Sequence, residues 1–269
     1  MSNMPLKMNE AGKNIRLNLE ECGRVIPDKA PTAQFNMALA RYDFAKSYAK
    51  DKIVLDIGCG DGYGTAHLSS VAKHAIGVDI SNEAIERAKS KYQKHNLVYE
   101  VMDCCSLAYP SEKFDLVCSF EVIEHVEDCD QYLLEMRRVL KKNAISVIST
   151  PNKDASAYSY SEHHVLHFNA TELQALLSRY FESVTLFNQE YNSQAVKLEM
   201  STVNRMFVRI KRRLGIRKYL IPYRYREIVE KILTGSSSES TSMEDFPIRE
   251  VGDTLTNAYG LIGFCHKVH

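Results

Sequence analysis

Asp56, Gly58, Gly60 and Gly62 stand at alternate positions, directly after the apolar run 53–57 and ahead of a stretch that reads as a helix. Glycines so placed let the backbone turn tightly and let a ligand approach where a Cβ would block it. A dinucleotide fingerprint needs a third glycine where Tyr63 stands, and a phosphate-gripping loop needs a Lys followed by Ser or Thr, which is absent. A carboxylate at Asp56 would repel a pyrophosphate but suits a ligand carrying an ammonium and a sulfonium. Asp79, 23 positions after Asp56, ends the second apolar run, where a carboxylate can accept from ribose hydroxyls. Asp103 ends the third, where a carboxylate can accept from an exocyclic adenine amine. Three acids at the ends of adjacent strands would converge on one crevice.

The elements that must position them repeat one rhythm between residues 53 and 152. Runs 53–57, 75–80, 97–102, 114–120 and 144–150 read as strands, and 83–92 and 132–140 carry the helical period. Strands that are apolar almost throughout are buried on both faces, so the sheet is mostly parallel and the domain a doubly wound α/β fold. A helix is predicted over 170–180 with Thr171 as its N-cap, then strands at 183–187 and 261–266. The gap of about seventy residues between those strands exceeds a normal loop and marks an insertion. A helix predicted over 33–48 could fold over the mouth of the sheet. The layout is therefore an N-terminal helical cap at 1–50, a core at 51–190, a helical insertion with the flexible linker 235–242 inside 191–259, and a last core strand at 260–269.

With these residues the chain resembles the class I S-adenosylmethionine-dependent methyltransferases over about 41–190 and again in the last strand. The resemblance implies a Rossmann-like seven-stranded sheet, mostly parallel, whose last strand is antiparallel and formed by the chain terminus. It also implies S-adenosylmethionine as cofactor, held by Asp56, Gly58, Gly60 and Gly62 at its methionine and ribose portions, by Asp79 at the ribose, and by Asp103 with Cys104 at the adenine. The insertion departs from the minimal family pattern.

After the fourth strand come Glu121, Glu124 and His125. Methyl transfer from a sulfonium needs alignment above all, and a base only for the acceptor proton. His125, with an ordinary pKa near ~6.5, suits that task, although it could equally cap or pack a helix starting there. The Phe120, Glu124, His125 spacing is similar to that of quinone-biosynthesis O-methyltransferases and small-RNA 2′-O-methyltransferases, some of which bind a divalent cation at such a motif. On a helix, Glu121, Glu124 and His125 would share one face. They would suit Mg or Mn, with a fourth ligand from His163, His164 or His167. Acidic residues on a solvated helix face are commonplace, and no metal is assigned. The Asn/Asp-Pro-Pro-Tyr/Phe motif of DNA adenine methyltransferases is absent, and no Pro-Cys pair follows the fourth strand, so Cys104 and Cys105 read as packing residues.

Composition bounds the rest. The 269 residues carry 34 Lys plus Arg against 34 Asp plus Glu, which excludes a uniformly basic chain that coats nucleic acid. Residues 205–231 hold ten basic and two acidic side chains, a balance of +8, so the remainder carries −8. An amphipathic basic helix there could lie on an anionic membrane through residues 203–233, or dock its apolar face on the core. Seven cysteines with no C-x-x-C pair argue against a disulfide scaffold or a structural zinc site. Residues 1–10 do not read as a secretory leader and no run approaches the ~20 apolar residues of a span, so the expected location is cytoplasmic, with a peripheral position at the inner membrane face as the alternative. Residues 23–27, 41–45 and 149–152 look like those of bacterial cell-surface glycan methyltransferases. The acceptor is therefore expected to be a hydroxyl, less an amine, of a small molecule, sugar or lipid-linked glycan. The alternatives are an RNA ribose and a non-enzymatic cofactor-binding module.

Overall fold

The structure, a computed structural model, describes residues 25, 27, 30, 32–155, 164–190, 242–251 and 259–269. His163, the basic segment 203–233 and the linker up to residue 241 lie outside the described residues. The elements are α1 (Thr32–Lys46), β1 (Ile53–Ile57), α2 (Tyr63–Leu68), β2 (His74–Asp79), α3 (Asn82–Lys91), β3 (Leu97–Val101), β4 (Phe114–Phe120), α4 (Cys129–Val139), β5 (Leu140–Pro151), α5 (Ala170–Leu177), β6 (Ser183–Gln189), β7 (Ile248–Glu250) and β8 (Gly260–Lys267). The strands form one sheet in the order β3-β2-β1-β4-β5-β8-β6-β7. Neighbours β1 to β5 pair in parallel, and β8 runs antiparallel to both β5 and β6.

The parallel, two-face-buried sheet follows from the apolar runs. Alternation along β1 sends Leu55 and Ile57 to one face, under Leu133 and Met136 of α4 and Leu173 of α5. Val54 goes to the other, with Ala45 of α1, Leu68 of α2 and Ile85 of α3. Caps set the helix starts. Ser81 and Asp128 accept from Ala84 N and Gln131 N at the heads of α3 and α4.

Two expectations change. The N-cap of α5 is Asn169, not Thr171, because Asn169 and Glu172 close a capping box at 3.0 Å in each direction and leave Thr171 inside the first turn. The sheet has an eighth strand, β7, inside the stretch assigned to the insertion, and it extends β6 on the sheet's edge. Helix α1 packs its second half on a sheet face, while its Arg41 reaches Glu121 just beyond the carboxyl end of β4. Ala45 has no exposure, and the Phe44 ring lies 5.2 Å from that of Phe187 in β6.

Phe246, 1% exposed, fixes the segment before β7 against Ala33, Met37 and Ala40 of α1. Phe246→Ala is expected to cost about 3 kcal/mol in urea unfolding, the usual range for emptying a buried aromatic site. A loss below about 1 kcal/mol would show that this segment does not dock on α1 in solution.

Candidate functional site

Strand order runs away from β1 on one side and from β4 on the other, so a crevice opens at the carboxyl ends of these two strands. The glycine loop lines it. Gly58 N and Cys59 N donate to Val78 O at 2.8 and 3.0 Å, tying the loop to β2. Gly58 (φ +73) has no alternative, since a Cβ there would lie 2.3 Å from Val122 Cγ2. Gly60 (φ +53) differs in that its missing Cβ would meet nothing within 4 Å.

Asp79 closes the loop from the β2 side. One carboxylate oxygen accepts from Gly60 N and the other from Ser81 N, both at 2.9 Å, and the residue is 7% exposed. Asp61, between Gly60 and Gly62, takes Arg87 of α3 at 2.9 Å. That second latch carried no signal in the sequence spacing. Asp103 lies two residues beyond β3, exposed, accepting from Cys105 N at 2.8 Å in a tight turn. Burial pushes the Cys104 thiol well above its ordinary range, so it stays a neutral packing group.

Asp56 departs from expectation. It shares the Val54 face of β1, beneath α1 and α2, and has no exposed surface. Thr65 Oγ1 donates to one carboxylate oxygen at 2.6 Å and the Tyr42 hydroxyl to the other at a looser 3.3 Å. The carboxylate is therefore turned inward and ties the loop's strand to two helices, instead of facing a ligand ammonium. Burial pushes its pKa up to about 7 against the opposing pull of those two hydrogen bonds.

Across the crevice, Glu121 takes a left-handed backbone (φ +58), a conformation that non-glycine residues adopt at a cost. Its N donates to Ser149 O at 3.1 Å and its carboxylate accepts from Ser149 Oγ at 2.8 Å. Arg41, 3% exposed, places Nη1 3.5 Å from the same carboxylate while its Nε donates to Gln189 at 2.8 Å. Only Ile123–His125 form a helical turn, and it is a short 3-10 one. Glu121, Glu124 and His125 therefore do not share a helical face as the spacing suggested. His164 replaces Glu121, because the Glu124 carbonyl accepts from Val165 N and Leu166 N at 2.8 and 3.1 Å. The donor atoms of Glu124, His125 and His164 lie within 4.8 Å of one another. The His125 and His164 ring centroids are 4.9 Å apart, and His167 follows at 5.7 Å from His164. Glu124 is 1% exposed, and burial, with the nearby Glu121 charge, raises its carboxyl well above the usual range.

Residues 55–148 match a family model described as a methyltransferase domain. The chain is 34% identical over 130 residues, 46% of each partner, to a probable S-adenosylmethionine-dependent methyltransferase of Mycobacterium tuberculosis. It is 34% identical over 110 residues to a ubiquinone biosynthesis O-methyltransferase of Pelagibacter ubique, covering 40% of this chain and 45% of that one. The chain thus spans less than half the length of these curated relatives. Its fold is shared with a Thermotoga maritima SAM-dependent methyltransferase, described as a possible histamine N-methyltransferase, at TM-score 0.59 and 16% identity over 88% of this chain and 91% of the other. No helix among the described residues is long and apolar enough to cross a membrane.

The raised pKa of Asp56 sets a sign. A carboxyl that holds its proton more tightly folded than unfolded stabilises the fold at low pH, and this contribution is lost as pH rises from its ordinary value near 3.8 through about 7. Asp56→Asn, which stays neutral, should gain thermal stability relative to wild type between pH 5.5 and pH 8. Melting curves at both pH values check this, and a wild type that gains on the variant over that interval contradicts it.

Proposed function

We propose that this chain, whose residues 55–148 form a class I methyltransferase domain with S-adenosylmethionine as cofactor, transfers the methyl group to a hydroxyl of a small molecule, sugar or lipid-linked glycan. The observation that carries the reading is the direct contact of the two crevice walls. Val122, beside Glu121, fills the space against Gly58, so a methyl donor held along the glycine loop lies next to the 121–125 segment. The relatives named as ubiquinone biosynthesis O-methyltransferases support oxygen rather than nitrogen as the acceptor atom.

The roles follow from the geometry. A carboxylate offers about four acceptor positions, so Asp79 can hold Gly60 and Ser81 and still accept from ribose hydroxyls. Asp103 and Cys104 border the adenine end. Asp56, without exposure, positions the loop from behind. The acceptor oxygen attacks the methyl carbon in line with the carbon–sulfur bond, whose electron pair leaves with sulfur as S-adenosylhomocysteine is formed. His125 takes the proton released from the acceptor hydroxyl. A divalent cation bound near this hydroxyl would withdraw charge from it and favour loss of that proton.

Incubation with labelled methyl donor and separate lipid, polysaccharide, RNA and small-metabolite fractions tests the reaction. Label as an alkali-stable ether outside RNA is expected, while label in RNA alone, or in no fraction, overturns the reading. Asp79→Ala should weaken S-adenosylhomocysteine binding in calorimetry by about tenfold or more, the loss of charge-assisted bonds worth roughly 1.5–3 kcal/mol. Unchanged affinity would remove Asp79 from the cofactor site. His125→Ala should lower turnover by about 10²-fold or more with cofactor affinity unchanged. A rate equal to wild type would leave His125 a packing residue.

A further inference from the structure

The turn after β3 collects two thiols that the proposed reaction does not use. Asp103, Cys104 and Cys105 are consecutive, and a carboxylate oxygen and the two sulfurs lie within 4.8 Å of one another. Consecutive side chains of an extended segment point apart, so this grouping comes from the turn. The Asp103 carboxylate accepts from Cys105 N at 2.8 Å, and its carbonyl accepts from Ser106 N at 3.1 Å. Helix α4 holds the same turn from the other side. Gln131 Nε2 donates to Cys105 O at 3.2 Å, and Cys105 Sγ lies 3.8 Å from Asp128 O. Asp103 is exposed and both cysteines are half-buried, so the group is open to solvent.

Two sulfurs and one carboxylate oxygen are a donor set that Mg²⁺ disfavours and Zn²⁺ accepts. Donors held by Zn²⁺ at about 2.0–2.3 Å in a tetrahedron stand roughly 3.3–3.8 Å apart. Side-chain rotations of about 1 Å bring the group to that spacing, and the exposure of Asp103 leaves room for them. Without an ion, burial and then the neighbouring charges, Asp103 among them, keep both thiols protonated. An entering Zn²⁺ displaces the two protons to solvent and takes the sulfurs as thiolates. Cys129 is turned away from the group, its Sγ directed at Ile123 O and Val126 O, both at 3.6 Å.

We infer that Asp103, Cys104 and Cys105 form a site for a thiophilic divalent cation of the Zn²⁺ class, and that filling it excludes the adenine end of the cofactor. The exclusion rests on the proposed placement of the adenine beside Asp103 and Cys104, since an ion there takes the carboxylate that the adenine amine would use. The site itself is read through Co²⁺ as a spectroscopic stand-in for Zn²⁺, and needs neither cofactor nor turnover. Imidazoles and carboxylates give no thiolate-to-metal absorption, so an ion at Glu124, His125 and His164 is not mistaken for it.

The test is titration of the reduced full chain with CoCl₂ without air, followed by displacement with ZnCl₂. A thiolate-to-metal charge-transfer band is expected to grow to about one ion per chain and to bleach as Zn²⁺ enters. Cys105→Ser should weaken Zn²⁺ by about tenfold or more and remove most of the band, and Cys129→Ser should change the affinity by less than about twofold. In calorimetry, S-adenosylhomocysteine should bind the Zn²⁺-loaded wild type about tenfold or more weakly than the metal-free protein, a difference lost in Cys105→Ser. No band, a band unchanged in Cys105→Ser or lost equally in Cys129→Ser, or equal cofactor affinity with and without Zn²⁺ overturns the inference. Asp103→Asn in metal-free protein checks the adenine placement by itself, and unchanged S-adenosylhomocysteine affinity there would locate the fault in that placement and overturn the exclusion with it. Methyl transfer by the metal-free protein is untouched by these results, so the two readings fail separately.

Discussion

A carboxylate with no solvent exposure, at the centre of a parallel sheet, has to be fully partnered, and Asp56 meets that demand from two separate helices. Thr65 belongs to the helix that the glycine loop starts, and Tyr42 to one that precedes the sheet entirely. The partnership places Tyr42 so closely over α2 that a Cβ at Gly64 would lie 1.9 Å from its ring. Tyr42 then stacks edge-on against Phe120, the last residue of β4, at 4.8 Å. One buried acid thus joins α1 to the start of α2, and through Tyr42 to the packing at the end of the strand from which the 121–125 segment emerges.

The position of α1 matters because the residue before Tyr42 is Arg41. With the helix fixed through Tyr42, Arg41 falls between β6 and β4, where it holds Gln189 and faces Glu121. The left-handed backbone at Glu121 is kept in place by Ser149 from both sides, through the main-chain bond and the hydroxyl. The helical turn that follows can then present Glu124 inward and His125 beside His164. The order of dependence runs from Asp56 to α1, from α1 to Glu121, and from Glu121 to the composition of the three-donor cluster.

Much of the glycine-loop side of the crevice was legible in the residues themselves. Asp79 and the glycines act through neighbours along the chain or across adjacent parallel strands, and such neighbours follow from period and strand order. The strand runs at 53–57 and 114–120 coincide with β1 and β4. What was not legible depends on parity and on distance along the chain. Asp56 is in register with Val54, and only the presence of polar partners over that face makes its inward orientation tolerable. Glu121 lies beyond the end of β4, and its left-handed conformation reflects a contact with Ser149 twenty-eight positions later. The pairing of Arg41 with Gln189 spans 148 positions. The capping box at Asn169 and Glu172 was within reach, since its two residue types stand at the required spacing, yet the neighbouring Thr171 offered a competing cap.

This division has a physical reason that bears on how such a fold acquires different acceptors. Asp79 ties the glycine loop together through Gly60 N and Ser81 N, so under the proposed reading a change there disturbs cofactor binding and the loop's own fold at once. The opposite wall is assembled from side chains carried by α1, β5, β6 and the loop before α5, each with its own packing on the sheet. The two walls are nevertheless joined, at the apolar contact between Val122 and Gly58 and through α1, whose Tyr42 reaches Asp56 behind the loop while the neighbouring Arg41 faces Glu121. A change that moves α1 therefore bears on both walls, whereas an exchange confined to β5 or the loop before α5 leaves the Asp56 contacts in place.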